Sequence, residues 1–212
     1  MSRGNSSSST TMGQKTVDEL IVEYKKMIER GRTLAPLASE NLAHWLGNTG
    51  TTRHIVADAF KQESNVVAHL RNKHRRVFLS QHDIAKGILP RTKRNPNSAI
   101  YSMAWEDSMY AGALTELYFA LGGFTLRSKV DISVVKKDAK TFEVTFDSWQ
   151  AQAYDNYNWD HGKSVYIPGW GRIDDKDALR VEAAGKAKSF EIESGWWRVT
   201  QPGVLNTAEV RI

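Results

Sequence analysis

The chain has 212 residues, 41% of them apolar and seven of them Trp, enough for one buried core. It has no cysteine, which excludes disulfides, thiolate zinc sites and a cysteine nucleophile. A net charge of +5 and a pI near 9.3 turn the surface toward anionic partners, and no apolar run approaches the roughly 20 residues of a membrane-spanning helix.

Residues 1–14 read as a disordered lead, rich in Ser and Thr and without apolar periodicity. Residues 15–212 read as a single α+β domain, helical over 15–121 and β-rich over 122–212. No apolar segment of the signal-peptide kind follows the lead, so we expect synthesis in the cytoplasm and export without a cleaved signal.

Thr16-Val17-Asp18-Glu19 has the form of a capping box. Val17, Leu20, Ile21, Tyr24, Met27 and Ile28 then recur at helical spacing, and Gly31 predicts the stop. A second helix is predicted from Pro36 to Leu46, with Leu42, Trp45 and Leu46 inward, ended by Gly47-Asn48-Thr49-Gly50. Thr51 to Ala57 suits a short strand or an extended connection, and Asp58 to Arg76 a helix. Pro90 and Pro96 break up the loop that follows.

Ser98 is placed as the cap of another helix, with Ile100, Met103, Ala104, Asp107, Ala111, Leu114, Tyr118 and Leu121 on one face. Asp107 on that apolar stripe is costly unless it is paired or neutral. At Gly122-Gly123 the period changes to two. Phe124 to Val134 and Phe142 to Phe146 alternate as two strands of a hairpin, turning at residues 136–140. Trp149, Ala151 and Ala153 follow Phe146 by odd steps, which predicts a β-bulge near Ser148. A short strand at Val165 and Ile167 and a turn at Pro168-Gly169-Trp170-Gly171 come next. Asp174 or Asp175 then caps a helix carrying Leu179, Ala183 and Ala187 and extending toward Phe190, which Gly185 weakens. Trp196, Val199, Val204 and Val210 suggest terminal strands.

The chemistry concentrates in Tyr154 to Lys163. Asp155, Asn158, Asp160 and His161 have the oxygens and imidazole for a hard divalent ion, or serve equally as turn formers. Asp155 and Asp160 suit paired acid–base work, and His161 titrates near neutrality unaided. Lys163 and Arg172 suit phosphate. No G-x-S-x-G, P-loop, dinucleotide fingerprint or H-E-x-x-H motif occurs. Arg71, Lys73, Arg75, Arg76, Lys86, Arg91, Lys93 and Arg94, opposed by Asp83 alone, form a basic stripe for nucleic acid, an anionic membrane surface or plain solvent. The late tryptophans, Trp149, Trp159, Trp170, Trp196 and Trp197, suit the core, a stacked ligand or a lipid interface.

Asp155-x-Tyr157-Asn158-Trp159, after a strand pair and before a helix, resembles the Asp-x-Tyr-Asp motif of the colicin M type bacteriocin toxins. Asn41 to Gly50 resembles the short helix and Gly-rich turn that open that domain, and the likeness spans about Leu34 to Phe190. More loosely, the chain is similar to toxin domains delivered by bacterial secretion machines. Asp155 and Tyr157 match the motif, and Asn158 stands where the family has its second Asp. The family's His-Arg pair has no counterpart at its usual distance, where Ser164 and Val165 stand; His161 and Lys163 are the nearest equivalents. The resemblance implies an antibacterial effector acting in the target's periplasm or envelope. It implies magnesium-assisted hydrolysis of a lipid-linked pyrophosphate, the peptidoglycan precursor, and a cognate immunity protein. Asp155 would be base or metal ligand, with Asp160 and His161 assisting. Tyr157 would position substrate, and Lys163 and Arg172 would bind phosphate. The alternatives from other classes are a basic nucleic-acid-binding module and a membrane-active toxin.

Overall fold

A computed structural model describes residues 15–79, 98–138, 140–167, 171–200 and 207–211. The expected lead lies outside them, as do Asp83, Lys86, Arg91, Lys93 and Arg94 of the basic stripe, Trp170, Val204 and most of the Pro168-Gly169-Trp170-Gly171 turn.

Helix α1 (Val17–Leu34) opens with the expected capping box: Thr16 N–H donates to Glu19 Oε2 at 2.7 Å and Glu19 N–H to Thr16 Oγ1 at 3.3 Å. It runs through Gly31, which is buried, to stop just before α2 (Pro36–Leu46). Pro36 starts α2 because a helix's first turn needs no N–H there. Strand β1 (Arg53–Ile55) follows. The helix expected over Asp58 to Arg76 is two helices, α3 (Asp58–Lys61) and α4 (Ser64–Leu79). The break falls at Glu63, a buried carboxylate that accepts the Gly112 N–H at 3.1 Å.

The largest correction concerns residues 98–121. A helix is not formed there; Ser98–Tyr110 is strand β2, then comes a loop, then the short helix α5 (Glu116–Ala120). Met103, Trp105, Asp107 and Met109 pair residue for residue with Val130, Ser128, Leu126 and Phe124 of β3 (Gly123–Lys136). The segment satisfies a period of two as well as one of 3.6, and the open edge of β3 selects the strand.

Strand β4 (Thr141–Tyr157) carries the sheet. One edge pairs with β3. The other takes β9 (Thr207–Arg211) at Thr141–Thr145, β8 (Trp197–Arg198) at Gln150–Ala151, and β7 (Phe190–Ser194) at Tyr154–Tyr157. The order is β1-β7-β4-β3-β2, antiparallel except where β1 runs parallel to β7. The fold is α+β with a mixed sheet, and β1 and β2 come from the part of the chain expected to be helical. A separate hairpin, β5 (Ser164–Ile167) and β6 (Gly171–Asp174), leads into α6 (Asp175–Ala183). Gly185 at φ +68° ends that helix instead of weakening it, so Ala187 lies beyond it and Phe190 starts β7.

The expected bulge is present. Asp131 pairs with Ser148 and Ile132 with Phe146, so Asp147 is the extra residue. Phe142 and Phe146 before it, and Trp149, Ala151 and Ala153 after it, are therefore all buried. They join Leu126, Val130 and Ile132 of β3 in one core with Leu42 and Trp45 of α2. Trp45 is fully buried and its Nε1–H donates to Glu182 Oε1 at 2.8 Å, tying α2 to α6.

Candidate functional site

The bulge sets the parity of everything after it on β4. Counting inward from Ala151 and Ala153, Asp155 and Tyr157 also take the core side. Tyr154 takes the other, with the Arg127 guanidinium 4.0 Å from its ring and its hydroxyl donating to Glu191 at 3.1 Å. Asp155 and Tyr157 thus belong to a strand, not to a turn, and Asn158, Asp160 and Lys163 lie just beyond its end.

A cleft of about 400 Å³ opens over this end of β4. Its walls come from α2, the α5 segment, the stretch 155–163 and the start of α6. Gly122 and Gly123 form part of one wall. A Cβ at Gly123 would come within 3.2 Å of the Tyr110 ring, so a bare backbone keeps this side open.

Asp155 lines the cleft half-buried. Burial pushes its carboxyl up to about 7, against a hydrogen bond from the Asn156 N–H. No cation pairs with it among the described residues. Tyr157 packs on Phe190 at 4.9 Å and on Trp159 at 5.6 Å. Burial raises its phenol well above the ordinary range, so it keeps its proton. Asp160 and Lys163 form an exposed ion pair on the rim, and the hydrogen bond to Asp160 raises the Lys163 ammonium.

Asp175, placed from the sequence as a possible helix cap, also lines the cleft. Asp174 does the capping, accepting the Lys176 N–H at 3.1 Å. That leaves Asp175, which is buried, to accept the Asp160 N–H at 2.9 Å and to donate its own N–H to Lys163 O at 3.2 Å. The 160–163 turn is clamped to the start of α6 by these two bonds. An Asp-Asp pair at a helix start was the available signal, since one residue caps and the other is left over.

Of the residues singled out in sequence, Asp155, Tyr157, Asn158, Asp160 and Lys163 line the cleft. His161 and Arg172 are exposed and are not among its lining residues; Arg172 lies 3.8 Å from Asp174. Asp107 is paired: it accepts from His69 at 3.0 Å and Lys73 at 3.1 Å. Burial raises its carboxyl, but those bonds outweigh it and leave it below the usual carboxylate range. Trp149 and Trp197 are core, Trp159 packs against Trp45 at 5.2 Å, and Trp196 is exposed with Lys129 4.2 Å over its ring. Lys73 of the basic stripe is engaged with Asp107 and the Trp105 ring. Among the described residues, no group of three or more His, Asp or Glu is placed to hold a metal ion, and no helix is long and apolar enough to cross a membrane.

The fold and cleft define an α+β domain with a carboxyl raised by burial at the end of its central strand, with no cation partner among the described residues. No protein-family model and no curated protein matches the chain. Among solved structures it is similar to PaeM, a colicin M-like bacteriocin of Pseudomonas aeruginosa, at 14% identity and a TM-score of 0.40, covering 83% of this chain and 51% of that one. It is similar to truncated syringacin M from Pseudomonas syringae pv. tomato DC3000 at 17% and 0.35, covering 83% and 60%. Pectocin M2 follows at 13% and 0.35, covering 91% and 64%. The chain spans about half to two thirds of the length of these proteins. Likeness this distant does not transfer activity, substrate or partner to this chain.

Proposed function

We propose that the chain is an antibacterial toxin whose cleft hydrolyses a lipid-linked pyrophosphate of the cell envelope. The observation that carries this is Asp155: a carboxyl on the core side of a strand, open to a cleft, without a cation partner among the described residues, and raised by burial to about 7. A structural carboxylate at such a place would have a cation partner, as Asp107 has. Asp155 instead is half ionised near neutrality, which suits a group that takes a proton and returns it.

The charge balance of the lining bears on the substrate. Among the described lining residues, Asp155, Asp160 and Asp175 face one ammonium, Lys163. A pyrophosphate entering alone would be repelled. Magnesium, which takes one or two protein carboxylates and completes its shell from water and phosphate oxygens, fits that donor set. Asp160 would hold it and the ion would supply positive charge against the phosphate oxygens, which leaves Asp155 as the base.

The chain's own part is as follows. Asp155, ionised, accepts a proton from a water that attacks at the bond joining lipid to pyrophosphate. That bond breaks, the water oxygen stays on one fragment, and the leaving oxygen of the other takes up a proton from Asp155. Lys163, kept on the rim by Asp160, offsets negative charge on the departing group. Tyr157 stays protonated and packs the wall beside Asp155.

The test directs the chain to a bacterial periplasm and follows lysis, alongside release of a water-soluble sugar pyrophosphate from the isolated precursor. Asp155→Asn is expected to abolish lysis and lower release by about 10²–10⁴-fold. An Asp155→Asn chain as toxic as the parent overturns the assignment.

A further inference from the structure

The cleft is divided by chemistry. Residues 155–163 and Asp175 bring carboxylates, the Lys163 ammonium and the Asn158 amide to it. Helix α2 and residues 119–121 bring Ala38, Leu42, Phe119, Ala120 and Leu121, and none of these carries a polar side-chain atom.

The main chain of that apolar wall is engaged as well. Ala120 O accepts the Asn41 side-chain amide at 3.0 Å. Leu121 N–H donates to Leu117 O at 2.9 Å, and Gly122 donates to Tyr118 O and accepts the Ala111 N–H, each at 2.9 Å. Asn41 is a fully buried residue of α2, so its bond also fastens α2 to the end of α5. A second tie runs from the Leu37 N–H to Glu116 Oε1 at 2.6 Å. These donors and acceptors are spent inside the protein and leave little for a phosphate oxygen or a sugar hydroxyl. What a fixed apolar wall offers a ligand is the removal of hydrocarbon from water.

We infer that the wall formed by α2 and residues 119–122 is a hydrocarbon subsite: it holds the first carbons attached to the pyrophosphate, while the pyrophosphate turns toward the 160–163 turn. The inference rests on the proposed function for the identity of the ligand. The bond to be broken joins lipid to pyrophosphate, so the carbons next to it lie in the cleft with Asp155 wherever the rest of the lipid runs. The acidic residues of the cleft repel an anion but not a neutral alkyl group, so the two sides sort the two ends of an amphiphile. A nucleotide sugar, which has a pyrophosphate and no hydrocarbon tail, engages one side alone and is expected to be a poor substrate.

The test needs no turnover. Binding of 1-butanol, 1-hexanol and 1-octanol to the full chain is measured by calorimetry, without metal or phosphate. Affinity is expected to rise about fourfold per added methylene, the factor for burying one CH₂. Hydrogen exchange with octanol bound is expected to slow over α2 and residues 119–122. Ala38→Leu fills the wall and Leu121→Asn adds a polar group to it; each is expected to weaken octanol binding about tenfold, with melting temperature read alongside. No binding, an affinity independent of alkyl length, or protection confined to other segments overturns the subsite. So does binding of octanol at the parent's strength by both variants. The readings on the parent decide the matter even where a variant fails to fold. Alcohol binding without Asp155-dependent lysis keeps the subsite and removes the catalytic assignment; lysis without alcohol binding does the reverse.

Discussion

Asp155 couples function to stability through one proton. Its carboxyl is raised by burial from an unfolded value of 3.8 to about 7. Between those values the folded chain binds more protons than the unfolded one, so stability falls as pH rises from about 4 to about 7 and is level above. Asn at this position does not titrate. Asp155→Asn is therefore expected to match the parent near pH 4 and to exceed it at pH 8 by up to about 4 kcal/mol. Thermal melts of both chains at the two pH values check this. A variant that is inactive and more stable at alkaline pH identifies a group retained for chemistry; one that is less stable at pH 8 identifies a structural carboxylate. Asp107 has the opposite sign. Its depressed pKa contributes stability above the unfolded value that is lost as pH falls through the folded one.

The bulge in β4 is the element on which the site's orientation depends. Side chains alternate along a strand, so one residue more or less exchanges the two faces. Asp147 is that residue. Deleting it is expected to turn either Phe142 and Phe146 or Trp149, Ala151, Ala153 and Asp155 to the outer face. Either outcome exposes several buried side chains, at roughly 1.5–3 kcal/mol each. Loss of cooperative unfolding in the deletion chain, seen by circular dichroism, is the expected result; a cooperative melt near the parent's would contradict it. The clamp made by Asp175 acts at the same scale, because it fixes the 160–163 turn that strand β4 alone does not constrain.

At the scale of the molecule, β4 is sealed along its second edge by three short strands drawn from the last part of the chain. The terminal one, β9, covers Thr141–Thr145. Removing residues 207–212 is expected to leave that stretch of β4 unpaired and open to edge-to-edge association. Size-exclusion chromatography would show oligomers growing with concentration, whereas a monomer at every concentration would contradict the expectation. The cleft lies at the opposite end of β4, so the truncated chain also tests whether the two ends of the sheet fold as one unit.

Much of this architecture was readable from residue order, because its causes are local. The capping box at Thr16, the Pro36 start, the alternation of β3 and β4 and the odd step after Phe146 each depend on neighbours a few residues apart. Five of the seven candidate residues line the cleft, and they stood out in the sequence as one dense polar run at residues 155–163. The rest required the folded chain. Residues 98–110 carry two periods at once, and the free edge of β3 decides between them. Asp175 joins the site because Asp174 takes the cap. The Asp155 carboxyl is raised by burial, and the cleft it lines is walled by α2, the α5 segment and α6, which are far apart in the sequence.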